Sequence, residues 1–136
     1  MNKTKIVLVE DDEILSKVLY IELGDSGFEV MQAFDGEAGL ELVRSQKPDL
    51  VLLDLILPKK HGFEVLAELK KSPDTSGIPI LILTMLGSDE DIKKGLQLGA
   101  DDYIVKSQHA VAEIVEKVKT FLAKLNATST LKKNPK

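Results

Sequence analysis

The 136-residue chain is expected to fold as one doubly wound α/β domain, a five-stranded parallel sheet with helices on both faces. Two observations predict this. Five short runs rich in Val, Ile and Leu recur at regular intervals, and most are continuously apolar, as parallel strands covered on both faces require. Between them lie segments whose apolar residues repeat at helical spacing and stop at Gly, Pro, Asp or Ser.

The first run, "KIVLVE" (5–10), is followed by an apolar stripe of Ile14, Leu15, Val18, Leu19, Ile21 and Leu23 that "GDSG" ends. The second, "FEVMQAF" (28–34), leads to Ala38, Leu40, Leu42 and Val43, stopped by "QKPD". The third, "DLVLLD" (49–54), precedes Phe63, Val65, Leu66 and Leu69, with "KSPDTSG" as the stop. The fourth, "IPILILT" (78–84), is followed by a shorter stripe of Ile92, Leu96 and Leu98 capped by Gly99. The last, "DYIVK" (102–106), leads to Val111, Ile114, Val115, Val118, Phe121 and Leu122. Strand and helix alternating five times imply right-handed crossovers. A chain this short favours the flavodoxin-like strand order 2-1-3-4-5. "NATSTLKKNPK" (126–136) has no periodicity, so residues 4–124 are taken as the domain and 125–136 as a basic, disordered tail or linker remnant.

Composition narrows the function. Apolar residues at 43% and charged residues at 29% argue for an ordered globular domain. The absence of cysteine excludes disulfides and thiolate metal sites and suits a reducing cytoplasm. No apolar run is long enough to cross a bilayer, and "MNKTK" lacks the apolar core of a secretory signal, so a cytoplasmic protein without membrane contact is expected. Residues 1–116 hold 12 basic and 22 acidic residues, whereas 117–136 hold six lysines and no acid. An acidic body argues against direct nucleic-acid binding by this domain.

In an open parallel sheet, ligands bind beyond the carboxyl ends of the strands. Those ends supply Glu10, Asp11 and Asp12 from the first run, Asp54 from the third, Thr84 from the fourth and Lys106 from the fifth. Carboxylates suit a hard divalent ion, a lysine an anion, and a hydroxyl can donate a hydrogen bond. Bland roles compete for each residue. Asp11 or Asp12 fits an N-cap of the first helix, and Asp54 and Lys106 fit a buried ion pair without function.

"VEDD", "DLILP" with Pro58 four residues after Asp54, Gly62 four further on, "LILT" and "GADDYIVK" occur in one order and spacing. Together they resemble the receiver domain of two-component response regulators, of the chemotaxis-regulator kind, over about residues 4–124. The resemblance implies a bacterial signalling protein whose only chemistry is its own phosphorylation and dephosphorylation. Asp54 would accept a phosphoryl group from the phosphohistidine of a sensor histidine kinase, from a phosphotransfer protein or from a small phosphodonor. It implies Mg²⁺ held by Asp11, Asp54 and the main-chain carbonyl of Ile56, with Glu10 acting through water. Lys106 would pair with Asp54 and then with the phosphoryl oxygens. Thr84 and Tyr103 would be the switch residues, and the surface of the fourth helix, fifth strand and fifth helix would pass the signal to a downstream protein target or effector domain. A phosphorylation-dependent homodimer belongs to the same expectation.

The chain departs from that pattern at three places. Lys106 is followed by Ser107 instead of proline; a cis non-proline bond costs about 2.5 to 4 kcal/mol, so a trans bond and a shifted loop are expected. Met85 stands where a small residue is usual and either covers Asp54 or swings outward. Ile56 and Leu86 cannot orient an attacking water, which predicts a long-lived phosphorylated state. His61 is expected as a solvated loop residue and His109 at the start of the fifth helix. Two other functions compete: a degenerate receiver that binds partners without phosphorylation, and a Mg²⁺-dependent aspartyl phosphohydrolase. The latter needs an acid two residues after its nucleophile, where this chain has Ile56.

Overall fold

The computed structural model describes residues 3–133. Its strands are β1 (Lys5–Val9), β2 (Glu29–Ala33), β3 (Leu50–Leu53), β4 (Ile80–Thr84) and β5 (Asp102–Val105). Its helices are α1 (Glu13–Asp25), α2 (Gly36–Gln46), α3 (Gly62–Lys71), α4 (Asp89–Gln97) and α5 (Val111–Lys133). The strands form one parallel sheet in the order β2-β1-β3-β4-β5, the expected doubly wound flavodoxin-like arrangement.

The unbroken apolar runs follow from burial on both faces. In β1, Val7 and Val9 point to the side that carries Leu40, Val43, Val65, Leu66 and Leu69 of α2 and α3. Ile6 and Leu8 point to the other side, against Leu19 and Leu23 of α1 and Ile114, Val118 and Leu122 of α5. All four residues of β3 are buried, because this strand lies at the centre of the sheet. Each fully buried aliphatic side chain contributes roughly 1.5 to 3 kcal/mol relative to exposure.

Helix starts are set by side-chain caps. Asp12 accepts from the amides of Ile14 and Leu15, Asp35 from Ala38 N, and Ser88 from Asp91 N. The α3 cap is His61, whose Nδ1 accepts from Phe63 N at 3.0 Å. This corrects the expectation of a merely solvated histidine. Gly99 ends α4 with φ +111°, a conformation that favours glycine.

Two places differ from or refine the sequence expectation. Helix α5 continues to Lys133, so the stretch expected as a tail from 125 onward is helical over most of its length; residues 134–136 lie outside the described residues. Helical propensity explains the difference: Ala, Lys and Leu in "AKLNATSTLKK" favour helix even without an apolar repeat. Among the described residues every peptide bond is trans, Lys106–Ser107 included, and Lys106–Gln108 form a short 3-10 turn before α5. His109 closes that turn, two residues before α5 begins.

Candidate functional site

The strand register brings the ends of β1 and β3 side by side. Val9 pairs with Leu53, and Asp54 N donates to Val9 O at 3.0 Å. Glu10 N in turn donates to Ala33 O at 3.0 Å at the end of β2. The residues just past these strands therefore meet on one rim, where Glu10, Asp11 and Asp54 each offer a carboxylate oxygen within 4.8 Å of the others.

Asp54 is buried but well supplied with donors. Its Oδ1 accepts from Leu55 N at 2.7 Å and Ile56 N at 3.3 Å. Its Oδ2 accepts from Lys106 Nζ at 2.9 Å. Lys106 reaches from the end of β5, and its Nζ also lies 2.6 Å from Glu10 Oε1. That second contact is an ion pair whose angles fall outside hydrogen-bond geometry, since Oε1 has no hydrogen-bond partner. Glu10 Oε2 accepts from Asp12 N at 3.1 Å. One ammonium thus serves two carboxylates directly, with a third beside them.

The electrostatics follow from that imbalance. Burial pushes the Glu10 carboxyl up to about 7; contact with Lys106 opposes the shift and the negative charge of Asp54 adds to it. Burial by itself would lower the Lys106 ammonium, but its contacts with Glu10 and Asp54 outweigh this and hold it above the ordinary lysine value. A cluster of oxygen ligands with surplus negative charge suits a hard divalent cation. Asp12 takes the capping role, which leaves Asp11 exposed to solvent beside the two buried acids.

The loop after Asp54 is pressed against α2 and α3. A Cβ on Gly62 would lie 2.3 Å from the Asp54 carbonyl oxygen and 2.5 Å from Leu55 Cα; Gly62 N donates to Leu55 O at 2.8 Å. A Cβ on Gly36 would lie 1.9 Å from Lys60 O, and Gly36 N and Lys60 N both donate to Pro58 O. Lys60 is ion-paired to Glu68, and Lys59 lies 3.8 Å from Asp35. Ile56 is exposed on this loop.

Thr84 is fully buried at the end of β4, and its Oγ1 accepts from Leu86 N only at the long distance of 3.5 Å. It makes no hydrogen bond to Asp54, whose donors are Lys106 and the two amides. Tyr103 pairs across the sheet with Ile82, and its hydroxyl donates to Leu86 O at 2.6 Å. Room for the ring comes from Gly95 of α4, where a Cβ would lie 3.1 Å from Tyr103 Cδ2. Burial, with the charges of Asp91 and Asp54, pushes the Tyr103 phenol up to about 12. Met85 is 58% exposed, so more than half of its surface faces solvent.

Sequence reasoning brought Glu10, Asp11, Asp54 and Lys106 to one rim. It did not find the amides of Leu55 and Ile56, the close fit of Gly36, Gly62 and Gly95, or the His61 cap. Gly62 was visible as a spacing, but its reason is a backbone approach that no pattern encodes.

Comparison with known proteins agrees with this geometry. The family model of the response regulator receiver domain matches residues 6–119. The chain is 39% identical to the probable transcriptional regulator ycf27 of Cyanophora paradoxa over 135 residues, 96% of this chain and 55% of that protein. It is 40% identical to the DNA-binding dual master transcriptional regulator RpaA of Synechocystis sp. over 118 residues, 87% of this chain and 48% of that protein. The chain spans about half the length of these curated relatives. Among solved structures, the Mn(2+)-bound form of response regulator Rcp1 aligns with a TM-score of 0.79 at 32% identity, covering 88% of this chain and 94% of that one.

Proposed function

We propose, from the premise that this chain belongs to the response regulator receiver domain family, that Asp54 is its phosphoacceptor. Receiver domains are phosphorylation-controlled signalling modules, so what needs assigning here is the part each side chain plays. The observation that carries the assignment is Asp54 Oδ2 held 2.9 Å from Lys106 Nζ within a cluster of three carboxylates.

In this reading a carboxylate oxygen of Asp54 attacks the phosphorus of a phosphohistidine on a sensor histidine kinase or phosphotransfer protein, or of a small phosphodonor. The new P–O bond forms as the donor's bond to phosphorus breaks: from a phosphohistidine protonated on its other ring nitrogen the P–N bond breaks and neutral imidazole leaves, and from acetyl phosphate the P–O bond breaks and acetate leaves. Such a transfer needs positioning and charge neutralisation more than covalent help. The amides of Leu55 and Ile56 fix the carboxylate's orientation. Lys106, already 2.9 Å from Oδ2, can stay with the carboxylate or shift to the phosphoryl oxygens. Asp11 and Asp54 would hold Mg²⁺ directly, the Ile56 carbonyl would complete the protein ligands, and Glu10 would act through water. When bound, the ion supplies positive charge to the equatorial oxygens.

Phosphorylation adds about −1.5 to −2 charge at pH 7 and new acceptor oxygens. The buried Thr84 hydroxyl, engaged only by the long contact from Leu86 N, is free to donate to them. Movement there reaches Tyr103 through Leu86, whose amide faces Thr84 and whose carbonyl holds the Tyr103 hydroxyl. The surface of α4, β5 and α5 is thereby assigned as the output face for a downstream target, an effector domain or a second copy. The absence of cysteine fits a reducing cytoplasm as the place of action. Ile56 offers no acid for a phosphohydrolase, so a signalling rather than metabolic role is assigned.

The decisive test is mass spectrometry of the chain incubated with Mg²⁺ and acetyl phosphate or phosphoramidate, beside Asp54→Ala. One phosphate adduct in the wild type and none in the variant is expected; an adduct of equal occupancy in Asp54→Ala would remove the assignment. The apolar Ile56 side chain, exposed beside the site, and half-buried Leu86 cannot align water for hydrolysis. Phosphate loss is therefore expected to be slow, and faster in the double variant Ile56→Asn with Leu86→Glu. Equal lifetimes would sink that part alone.

A further inference from the structure

We propose that His61 makes the start of α3 a pH-sensitive clamp on the loop that follows Asp54, closed when the imidazole is neutral and released when it is charged. Helix N-termini leave backbone amides without partners inside the helix, and the usual caps, Ser, Thr, Asn and Asp, accept from them with oxygen. Here the acceptor is a ring nitrogen: His61 Nδ1 takes the hydrogen bond from Phe63 N at 3.0 Å. Glu64 Oε1 reciprocates by accepting from His61 N at 3.2 Å. An imidazole nitrogen accepts only while it carries no proton. Protonation at Nδ1 abolishes the cap and places a positive charge at the positive end of the helix dipole.

The clamp matters because of what it holds. The residue after His61 is Gly62, whose N donates to Leu55 O at 2.8 Å and which packs directly on the Asp54 carbonyl. The cap therefore fixes the first turn of the helix that seats the loop. A second contact leads to α4: the His61 ring stacks on Phe63 at 5.3 Å between centroids, and Lys94 Nζ lies 4.7 Å from the Phe63 centroid. A protonated His61 would bring a second cation to the ring that already attracts Lys94.

The surrounding charges do not replace this response. Lys59 is ion-paired with Asp35 and Lys60 with Glu68, so these loop and helix charges largely answer one another. Glu64 of the same helix, bonded to His61 N, and Lys94 of α4, over the Phe63 ring, are the other charged groups near it. His61 is exposed, so its proton exchanges freely with solvent.

The test uses the unphosphorylated full chain, which makes it independent of the role given to Asp54. Thermal midpoints are measured from pH 5 to pH 8 for the wild type, His61→Asn, whose cap does not titrate, and His109→Gln, which removes the other histidine. NMR titration of the His61 ring gives its own midpoint. The expected result is that the wild type loses about 3 to 5 °C relative to His61→Asn as pH falls through that midpoint, with protection of the Phe63 amide falling in step. His109→Gln should keep the wild-type behaviour. A wild-type to His61→Asn difference that stays constant over the whole range would overturn the proposal, as would a pH response that disappears with His109→Gln.

Discussion

Where the strands begin, Asp49 accepts a hydrogen bond from Lys5 N and Asp101 Oδ2 one from Ile80 N, each at 2.8 Å. Where the strands finish, Glu10, Asp11 and Asp54 gather within 4.8 Å around one lysine. The same side-chain chemistry serves opposite ends of one sheet. At the first end each acid satisfies a backbone amide that would otherwise lack a partner, and Asp101 Oδ2 also lies 3.9 Å from Lys70 Nζ, so the charge of each is used up in holding the fold. At the second, acids are set against each other, and the Glu10 carboxyl is pushed up to about 7 by burial with the charge of Asp54 adding to it. What separates a structural carboxylate from a candidate reactive one here is therefore the company its oxygens keep.

That contrast can be broken in order of effect. The most severe change expected is Gly62→Ala at the finishing end, because a Cβ there meets the Asp54 carbonyl at 2.3 Å; a loss of about 3 kcal/mol is expected by denaturant unfolding. A fully stable Gly62→Ala protein would mean that the loop is not seated as described. Next come the acids themselves. Asp101→Ala should cost about 1 to 2 kcal/mol by leaving Ile80 N without its acceptor, yet leave the response to Mg²⁺ unchanged. Mg²⁺ at tenfold over its dissociation constant should stabilise the wild type by about 1.4 kcal/mol and do much less for Asp11→Asn. Equal Mg²⁺ responses in these two variants would erase the distinction between the ends. The smallest effect is a gain: Gly24, in the last turn of α1, has open space around its Cα, and Gly24→Ala should stabilise by about 0.5 kcal/mol, read as a raised thermal midpoint.

How much of this was legible beforehand depends on how each feature arises. The strand order and the meeting of Glu10, Asp11, Asp54 and Lys106 follow from apolar runs that end in polar residues, a one-dimensional signal that a parallel sheet turns directly into proximity. Asp12, not Asp11, caps α1, and the sequence left that choice open because the two are adjacent and of the same capping type. Gly36, Gly62 and Gly95 owe their identity to contacts with Lys60, Leu55 and Tyr103, which are distant in the chain or belong to other elements. The His61 cap was missed because a ring nitrogen is not among the usual capping acceptors. The extension of α5 was missed because apolar periodicity reports burial, and a helix can continue past the last buried residue without it.

The bond from Asp54 N to Val9 O has a consequence for hydrogen exchange. It extends the central β1–β3 ladder by one rung, so the backbone of the candidate phosphoacceptor belongs to the sheet and not to the loop that follows. Amides in central strands open only with the whole domain, whereas loop amides open locally. Asp54 N should then exchange at the rate of global unfolding while Ile56 N, two residues on, exchanges faster. The footing of Asp54 would be the last part of the rim to melt, and the loop that follows it among the first.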